Sequence, residues 1–508
     1  MAIGADSPKV SVVVPTHNCA PHLDRLVTSL ERQSLPPGEF EVIFADDGSR
    51  DDTPQLLDEL AARHPHFRVL HLENSGWPSR PRNLGVEQAR GEYVFFADDD
   101  DWFADEALER LYACARTNDA DIVVGKMAGH GRSVPRELFR QNRFDATLAN
   151  APLVDSMTCH KLFRRSFLDK HELRFPEGMP RRLEDHRMVI RAYLLSERTC
   201  VLSDYTCYHH YRRTDGGNVT ATRLDPAEYY DGLREALDII DAHIPPGPLR
   251  DRVHRRWLRH EMIDRLRGRR LTEAPTEWLD QVAAEIRQIL RDRFAPGVAA
   301  SLPPLLRAIA YLAEQGRVAD LRRLAEWESG VRAQATVHRG KVSGPMLTVN
   351  FSAQLLVGNK PMRFSADGRD LPVIPVDWVA VPGVEVAATA GKVDLVARRE
   401  ETQEEIFLPV TVEIERVPVG NQLKIRYRAV AEVDFTTVNG GRTRGTWQLR
   451  ARVSSAGWTR DVGLALPVSC AVDGARPRVH NDRSFWSRLR RAARRFISRP
   501  GTRPVSAR

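Results

Sequence analysis

The chain has 508 residues, a formal net charge of +7 and a sequence pI of about 9.2, with 42% of its residues hydrophobic. That length accommodates two or three domains, each with its own core. No run of some twenty apolar residues exists to cross a bilayer, and Met1 to Lys9 is too short and too polar for a signal peptide.

Short β-rich runs open the chain: Val10 to Thr16, Phe40 to Ser49, Phe67 to Leu72 and Tyr93 to Phe96. Helix-compatible stretches near 21–34, 53–63 and 79–90 separate them, and this alternation predicts a parallel sheet with crossover helices. Polar clusters follow three of the runs: Thr16-His17-Asn18, Asp46-Asp47-Gly48-Ser49 and Asp98-Asp99-Asp100-Asp101. In such a sheet all three gather along the carboxyl edge, where open α/β folds bind ligands. No GxGxxG follows the first run and no GxxxxGK[ST] occurs anywhere, so phosphates must be held by a metal and basic side chains. Adjacent carboxylates repel one another, and a hard divalent cation relieves that repulsion. The four aspartates would serve equally as a solvated turn before the helix near Asp105.

Taken in order, these residues resemble the family 2 glycosyltransferases of the GT-A fold, which move sugar from a nucleotide-diphosphate donor with inversion. The resemblance rests on Val12-Val13-Val14-Pro15-Thr16-His17-Asn18, Asp46-Asp47-Gly48-Ser49 with Asp52-Thr53, Asn74-Ser75-Gly76, Arg82-Asn83-Leu84-Gly85 and Ala89-Arg90-Gly91-Glu92-Tyr93. It continues through Phe96-Ala97-Asp98-Asp99-Asp100-Asp101-Trp102, His160-Lys161-Leu162-Phe163-Arg164-Arg165 and Leu183-Glu184-Asp185, covering roughly residues 9–220.

The resemblance implies a UDP-sugar donor held by Pro15, Thr16, Asn18, Asp46, Asp47, Arg82, Asp98, Asp99 and Arg212. Asp46 or Asp47 with Arg82 would lie around the base, and Asp98 on the ribose side. Asp100 with His210 would hold a divalent metal, Mn2+ or Mg2+, beside the diphosphate. Asp185 would be the general base toward the acceptor, assisted by Glu184, although a Glu-Asp pair also begins helices for purely local reasons. His209 and His210 are adjacent on an extended segment, so at most one faces the site, and both could be structural. Arg212 or Arg213 could pair with phosphate.

From about 228 to 328 the apolar period becomes helical, and a dense basic stretch runs from Arg250 to Arg270. Such a stretch is either a solvated face or a contact surface for a polyanionic acceptor. Beyond about 335 the period changes to two, as in Leu347, Val349, Phe351, Ala353 and Leu355, which predicts a β-sandwich. A helical linker and sandwich after a family 2 domain resemble, in architecture, the wall-teichoic-acid polyribitol-phosphate N-acetylglucosaminyltransferases, whose C-terminal immunoglobulin-like modules mediate trimer formation.

The final segment, 476–508, holds eleven Arg and one Asp, a net +10 that leaves the remainder of the chain at −3. Phe485, Trp486, Leu489, Phe496 and Ile497 share one helical face with arginines on the others, the composition of an interfacial helix on anionic lipid.

The expected architecture is therefore an α/β GT-A domain (9–225), a helical linker (226–330), an all-β sandwich (335–475) and a basic amphipathic tail (476–508). The expected activity is transfer of a sugar, an N-acetylhexosamine, from UDP-sugar to a hydroxyl of an anionic cell-wall glycopolymer such as polyol-phosphate teichoic acid. A capsular or lipid-linked glycan acceptor, or a non-catalytic scaffold, is the alternative. The expected partners are an anionic membrane surface through 484–508 and further copies of the chain in a homo-oligomer such as a trimer. Nucleic acid is not among them, since no groove-reading motif accompanies the arginines. Six cysteines, Cys19, Cys114, Cys159, Cys200, Cys207 and Cys470, lack metal-ligand spacing and read as reduced thiols of a cytoplasmic protein peripheral to the inner face of the membrane.

Overall fold

A computed structural model describes residues 7–213, 215, 224–377, 381 and 391–480. The segment 484–508, for which lipid binding is expected from composition, lies outside the described residues. No helix among the described residues is long and apolar enough to cross a membrane.

The first domain is built on nine strands: β1 (Val10–Thr16), β2 (Phe40–Asp46), β3 (Phe67–His71), β4 (Tyr93–Phe96), β5 (Trp102–Phe103), β6 (Ile122–His130), β7 (Arg143–Ala146), β8 (Leu162–Arg164) and β9 (Thr199–Tyr211). They are ordered β3-β2-β1-β4-β8-β6-β9-β5, with β7 beside β9. The first four are mutually parallel, and β8 runs antiparallel between β4 and β6. Every residue of β1, β2 and β4 is buried, as expected of parallel strands covered on both faces.

The covering helices are α1 (Asp24–Glu31), α2 (Thr53–Arg63), α3 (Ser79–Gln88), α4 (Ala107–Thr117), α5 (Arg165–Lys170) and α6 (Glu184–Leu195). Packing of α3 on β1 is close because Gly85 has no side chain: a Cβ there would collide with Val13 Cγ1. That approach brings Arg82, one turn earlier, over the carboxyl end of β4.

Seven helices follow: α7 (Pro226–His243), α8 (Pro248–Trp257), α9 (Gly268–Thr272), α10 (Thr276–Arg293), α11 (Pro296–Ala300), α12 (Pro304–Glu314) and α13 (Val318–Glu328). After α8 the chain forms a π-turn at Leu258–Met262, a wider turn that rotates Glu261 into the interior.

The last region comprises β10 (Val331–Ser343), β11 (Met346–Val357), β12 (Lys360–Pro361), β13 (Phe364–Ser365), β14 (Lys392–Arg399), β15 (Glu405–Leu408), β16 (Thr411–Val419), β17 (Gln422–Asp434), β18 (Gly445–Ser455), β19 (Trp458–Cys470) and β20 (Arg478–Val479). They form a six-stranded and a five-stranded antiparallel sheet packed face to face. Alternation is strict along β17 and β18, whose inward residues Tyr427, Ala429, Ala431, Trp447, Leu449 and Ala451 fill the space between the sheets. This region also locks onto the linker, since the Trp458 indole donates to Glu328 Oε1 at 3.1 Å, a carboxylate also bound by Arg267.

Gly85→Ala should cost about 1–3 kcal/mol, the usual range for overpacking a filled interface. Urea unfolding of the first domain measures it, and an unchanged midpoint would mean that α3 can withdraw from Val13 freely.

Candidate active site

Three domains converge on one cavity of about 1050 Å³. Its floor is the carboxyl edge of the first sheet, with Pro15, Thr16, Asp47 and the run Asp98-Asp99-Asp100. One wall is the start of α6, and the linker and the last domain supply the rest, through residues such as Arg259 and Arg452.

Arg82 is the centre of the charge arrangement. It is 4% exposed, yet its Nη2 donates to Asp98 Oδ1 at 2.9 Å and its Nη1 to Asp185 Oδ1 at 3.1 Å, with Glu184 Oε1 at 3.6 Å. A guanidinium can bridge two acids because its donors form a rigid planar fork. Arg82 was expected around the nucleotide base; here it ties the strand-end aspartate to the acids that open α6.

Burial alone would raise Asp98, but His160, Arg82 and His210 oppose it and hold the carboxyl below the usual range. Of these three, Arg82 keeps its charge at neutral pH, because burial drives both imidazoles toward the neutral form. Glu184 is pushed up to about 7 by burial and by the neighbouring Asp185. Asp99 is likewise pushed up to about 7 by burial, Asp100 and Asp98.

Asp98, Asp101, His160 and His210 present ligand atoms that all lie within 4.8 Å of one another. His160 Nδ1 is 3.2 Å from the Phe96 carbonyl, which can only accept, so Nδ1 carries the proton and the neutral ring turns the Nε2 lone pair toward Asp98, 3.5 Å away. Asp101 is fully buried; its Oδ1 accepts from the Tyr211 amide at 2.7 Å, while Oδ2 has no hydrogen-bond partner among the described residues. Lone pairs aimed at one another, an orphaned carboxylate oxygen and a histidine fixed through a backbone carbonyl suit a divalent cation. His210 belongs to this group, whereas Asp100, expected as its companion ligand, lines the cavity outside it.

The remaining expected donor residues divide by location. Pro15, Thr16, Asp47, Asp98 and Asp99 line the cavity, and the buried Thr16 hydroxyl has no partner among the described residues. Asp47 spends its carboxylate on the Ser75 and Gly76 amides, at 2.9 and 3.1 Å, which fixes the loop above the floor. Asp46, Asn18 and Arg212 do not line the cavity. Asp46 accepts from Ser49, Asn18 Oδ1 caps the Arg50 amide at 2.8 Å, and the Arg212 amide donates to His130, whereas Arg213 reaches the cavity. His209 stacks on Trp102 with ring centroids 5.1 Å apart, which leaves His210 as the histidine of the pair that faces the site.

The linker helps to hold the acids of α6. Leu183, just before Glu184, adopts a left-handed conformation (φ 64°, ψ 25°), which costs energy for a branched residue. Helix α7 presses on this turn: a Cβ on Gly232 would lie 2.6 Å from the Arg182 carbonyl oxygen. Arg187 donates to the Pro180 carbonyl at 2.6 Å and pairs with Glu235 of α7, while the Arg181 amide donates to Glu228 at 2.9 Å.

A largely parallel sheet with acids at its carboxyl edge, a helix opening on two acids opposite it and a cavity between them have the form of a GT-A domain. Residues 11–172 match the family described as Glycosyl transferase family 2, and residues 226–325 match the Glycosyl transferase TarS linker domain. The chain thus joins a family 2 glycosyltransferase domain to a TarS-type linker, which bears out the resemblance seen in the motifs. It is 32% identical over 305 residues to the poly(ribitol-phosphate) beta-N-acetylglucosaminyltransferase TarS of Staphylococcus aureus, covering 59% of this chain and 52% of that protein. It is 31% identical over 236 residues to the poly(ribitol-phosphate) beta-glucosyltransferase of Bacillus spizizenii, covering 46% and 37%. The chain therefore spans about half, or less, of the length of these curated relatives. The crystal structure of S. aureus TarS 1–349 in complex with UDP superposes with a TM-score of 0.54 at 28% identity, covering 67% of this chain and 96% of that one.

Arg82→Leu should leave three acids around an apolar side chain and lower stability by about 3–5 kcal/mol, the range for breaking a buried ion pair. Arg82→Lys keeps a charge but not the fork, so it should regain most of that stability without restoring turnover. Thermal unfolding of both variants measures the difference, and equal stability of Arg82→Leu and the parent would remove Arg82 from its central place.

Proposed function

We propose that the protein is an inverting glycosyltransferase that moves a sugar from a UDP-sugar to a hydroxyl of a polyol-phosphate polymer. The observation that carries this reading is a single cavity joining the Arg82-linked acids, at one end, to arginines of the linker. Arg259 and Arg270 line it, are exposed and have no acidic partner among the described residues, as suits a repeating phosphate. The relatives named for poly(ribitol-phosphate) transfer support the polymer, and the solved complexes of S. aureus TarS with UDP and with UDP-GlcNAc support the donor. The beta linkage in the relatives' names agrees with inversion of an α-linked donor.

In this reading Asp185 accepts the proton of the attacking hydroxyl as the anomeric carbon gains positive charge. Arg82 orients Asp185, and Glu184 beside it shapes the same wall. Thr16 and Asp99 contact the donor, and Arg213 faces its diphosphate. Asp98, Asp101, His160 and His210 would hold Mn2+ or Mg2+, with Asp100 adjoining; when bound, the ion supplies charge stabilisation for the leaving diphosphate. A scaffold without catalysis is disfavoured because all of these acids are retained.

The test is transfer of radiolabelled sugar from UDP-GlcNAc and UDP-glucose to poly(ribitol-phosphate). Asp185→Asn should bind UDP as the parent does while turnover falls about a hundredfold or more. Chelation should abolish transfer, and added Mn2+ should restore it. Transfer by Asp185→Asn at the parent rate would move the base elsewhere, and transfer only to a capsular or lipid-linked glycan would replace the acceptor.

The β-domain is proposed to assemble copies of the chain, and segment 484–508 to adsorb to anionic lipid on the cytoplasmic face of the membrane, where such a polymer is made. Deleting 484–508 should abolish co-sedimentation with anionic vesicles at physiological salt, where screening acts over about 8 Å. Equal sedimentation of both forms would remove the anchor.

A further inference from the structure

The β-domain is docked against the transferase domain, and the docked face is rich in arginine. Outward residues of the five-stranded sheet, Arg398 on β14 and Arg450 and Arg452 on β18, meet the loop 131–140 that follows β6. Arg136 of that loop binds Asp461 at 2.7 Å and Glu405 at 2.6 Å, and Arg140 binds Asp394 at 2.7 Å while lying 3.7 Å over the Phe407 ring. These contacts cross from one domain to the other between side chains that are largely shielded from water, so they fix register.

Around Arg136 the charges do not cancel. Four guanidiniums, Arg136, Arg398, Arg450 and Arg452, face three nearby carboxylates, Glu405, Asp461 and Glu137, and the last of these is already paired with Arg140 and Lys392. Glu405 and Asp461 are already engaged by Arg136; Arg398 stands 3.8 Å from Glu405 and Arg452 3.8 Å from Asp461. Arg398 Nε is buried and meets Glu405 only at ion-pair distance, with no hydrogen bond among the described residues. Burial, together with Arg136, disfavours the charged form of Arg452, and burial with Arg450 and Arg136 does the same to Arg398. Like charges held this close without enough counter-charge favour an anion between them. Arg136 and Arg452 both line the cavity that holds Asp98 and Asp185.

We propose that the β-domain contributes a phosphate subsite to the acceptor cleft, with Arg452 and Arg136 gripping a phosphodiester of the polymer remote from the hydroxyl that reacts. This rests on the polyol-phosphate reading above. A subsite at the far wall is reached by long acceptors and missed by a single repeat, so the β-domain selects for chain length as well as for charge. The arrangement requires the whole chain, because Arg136 and Arg452 come from different domains.

Full-length Arg452→Gln is the test, with KM measured on poly(ribitol-phosphate) and on a one-repeat ribitol-phosphate acceptor. The KM for the polymer should rise about five- to tenfold, the scale of one charge-assisted phosphate contact, while the KM for the single repeat stays near the parent value. Arg452→Lys should recover most of the polymer KM. Arg428→Gln removes the same charge from the opposite face of the domain and should behave as the parent. UDP affinity, measured on each variant, establishes that the donor site is folded. An unchanged polymer KM in Arg452→Gln, or an equal loss on both acceptors, overturns the subsite. A parent enzyme that transfers sugar to neither ribitol-phosphate acceptor counts against the polyol-phosphate reading itself, which separates the two failures.

Discussion

A guanidinium sealed from solvent among three carboxylates survives only while its donors remain shared between them, and Arg82 is in that position. Asp98 reaches it from the end of β4, and Glu184 and Asp185 from the first turn of α6. Each of these elements must therefore stop within about a hydrogen-bond length of one point, and the surrounding packing serves that requirement. The missing side chain at Gly85 lets α3 descend onto β1, the fully buried β1 and β4 cannot slip, and α7 braces the turn before α6. The acids neutralised this way all line the cavity.

Arginines divide into two populations across the molecule. Some are consumed by structure, such as Arg256 and Arg265 on the buried Glu261 turned inward by the π-turn, or Arg267 on Glu328. Others, including Arg259 and Arg270 of the linker, line the cavity without acidic partners among the described residues. Composition cannot separate the two, because both lie in the same run from Arg250 to Arg270. The three-dimensional partition turns a basic stretch into a surface with a defined direction.

Local patterns made much of this fold legible: the β-rich runs, the clusters at the sheet edge, the change to period two beyond 335. Motif order also brought Asp98, Asp185 and His210 to one cavity. What local pattern did not reveal arises in contacts between distant residues. Asp101 joins His210 because β9 passes beside β5, and His160 joins them because β8 inserts beside β4; the cue for His160 was present in His160-Lys161-Leu162 but named no role. Of Arg212 and Arg213, either of which could pair with phosphate, Arg213 is the one that reaches the cavity. Asp46 and Asn18 carry the chemistry of binding residues, yet their hydrogen bonds are spent on neighbouring loops. The docking of the β-domain onto loop 131–140 had no signature in either segment alone.

Gly232 sets a limit on how the chain can be divided. Its bare backbone rests on the carbonyl of Arg182, two residues from Glu184, so the wall of the transferase site is finished by a helix that belongs to the next module. The seam between domains, drawn where helices replace strands, passes through the catalytic frame and not around it. A chimera that exchanged the first domain for that of a relative would carry its acids into a foreign brace, and any side chain at the position of Gly232 would displace the turn they depend on. Transferase domain and linker are in this sense one mechanical unit at that turn.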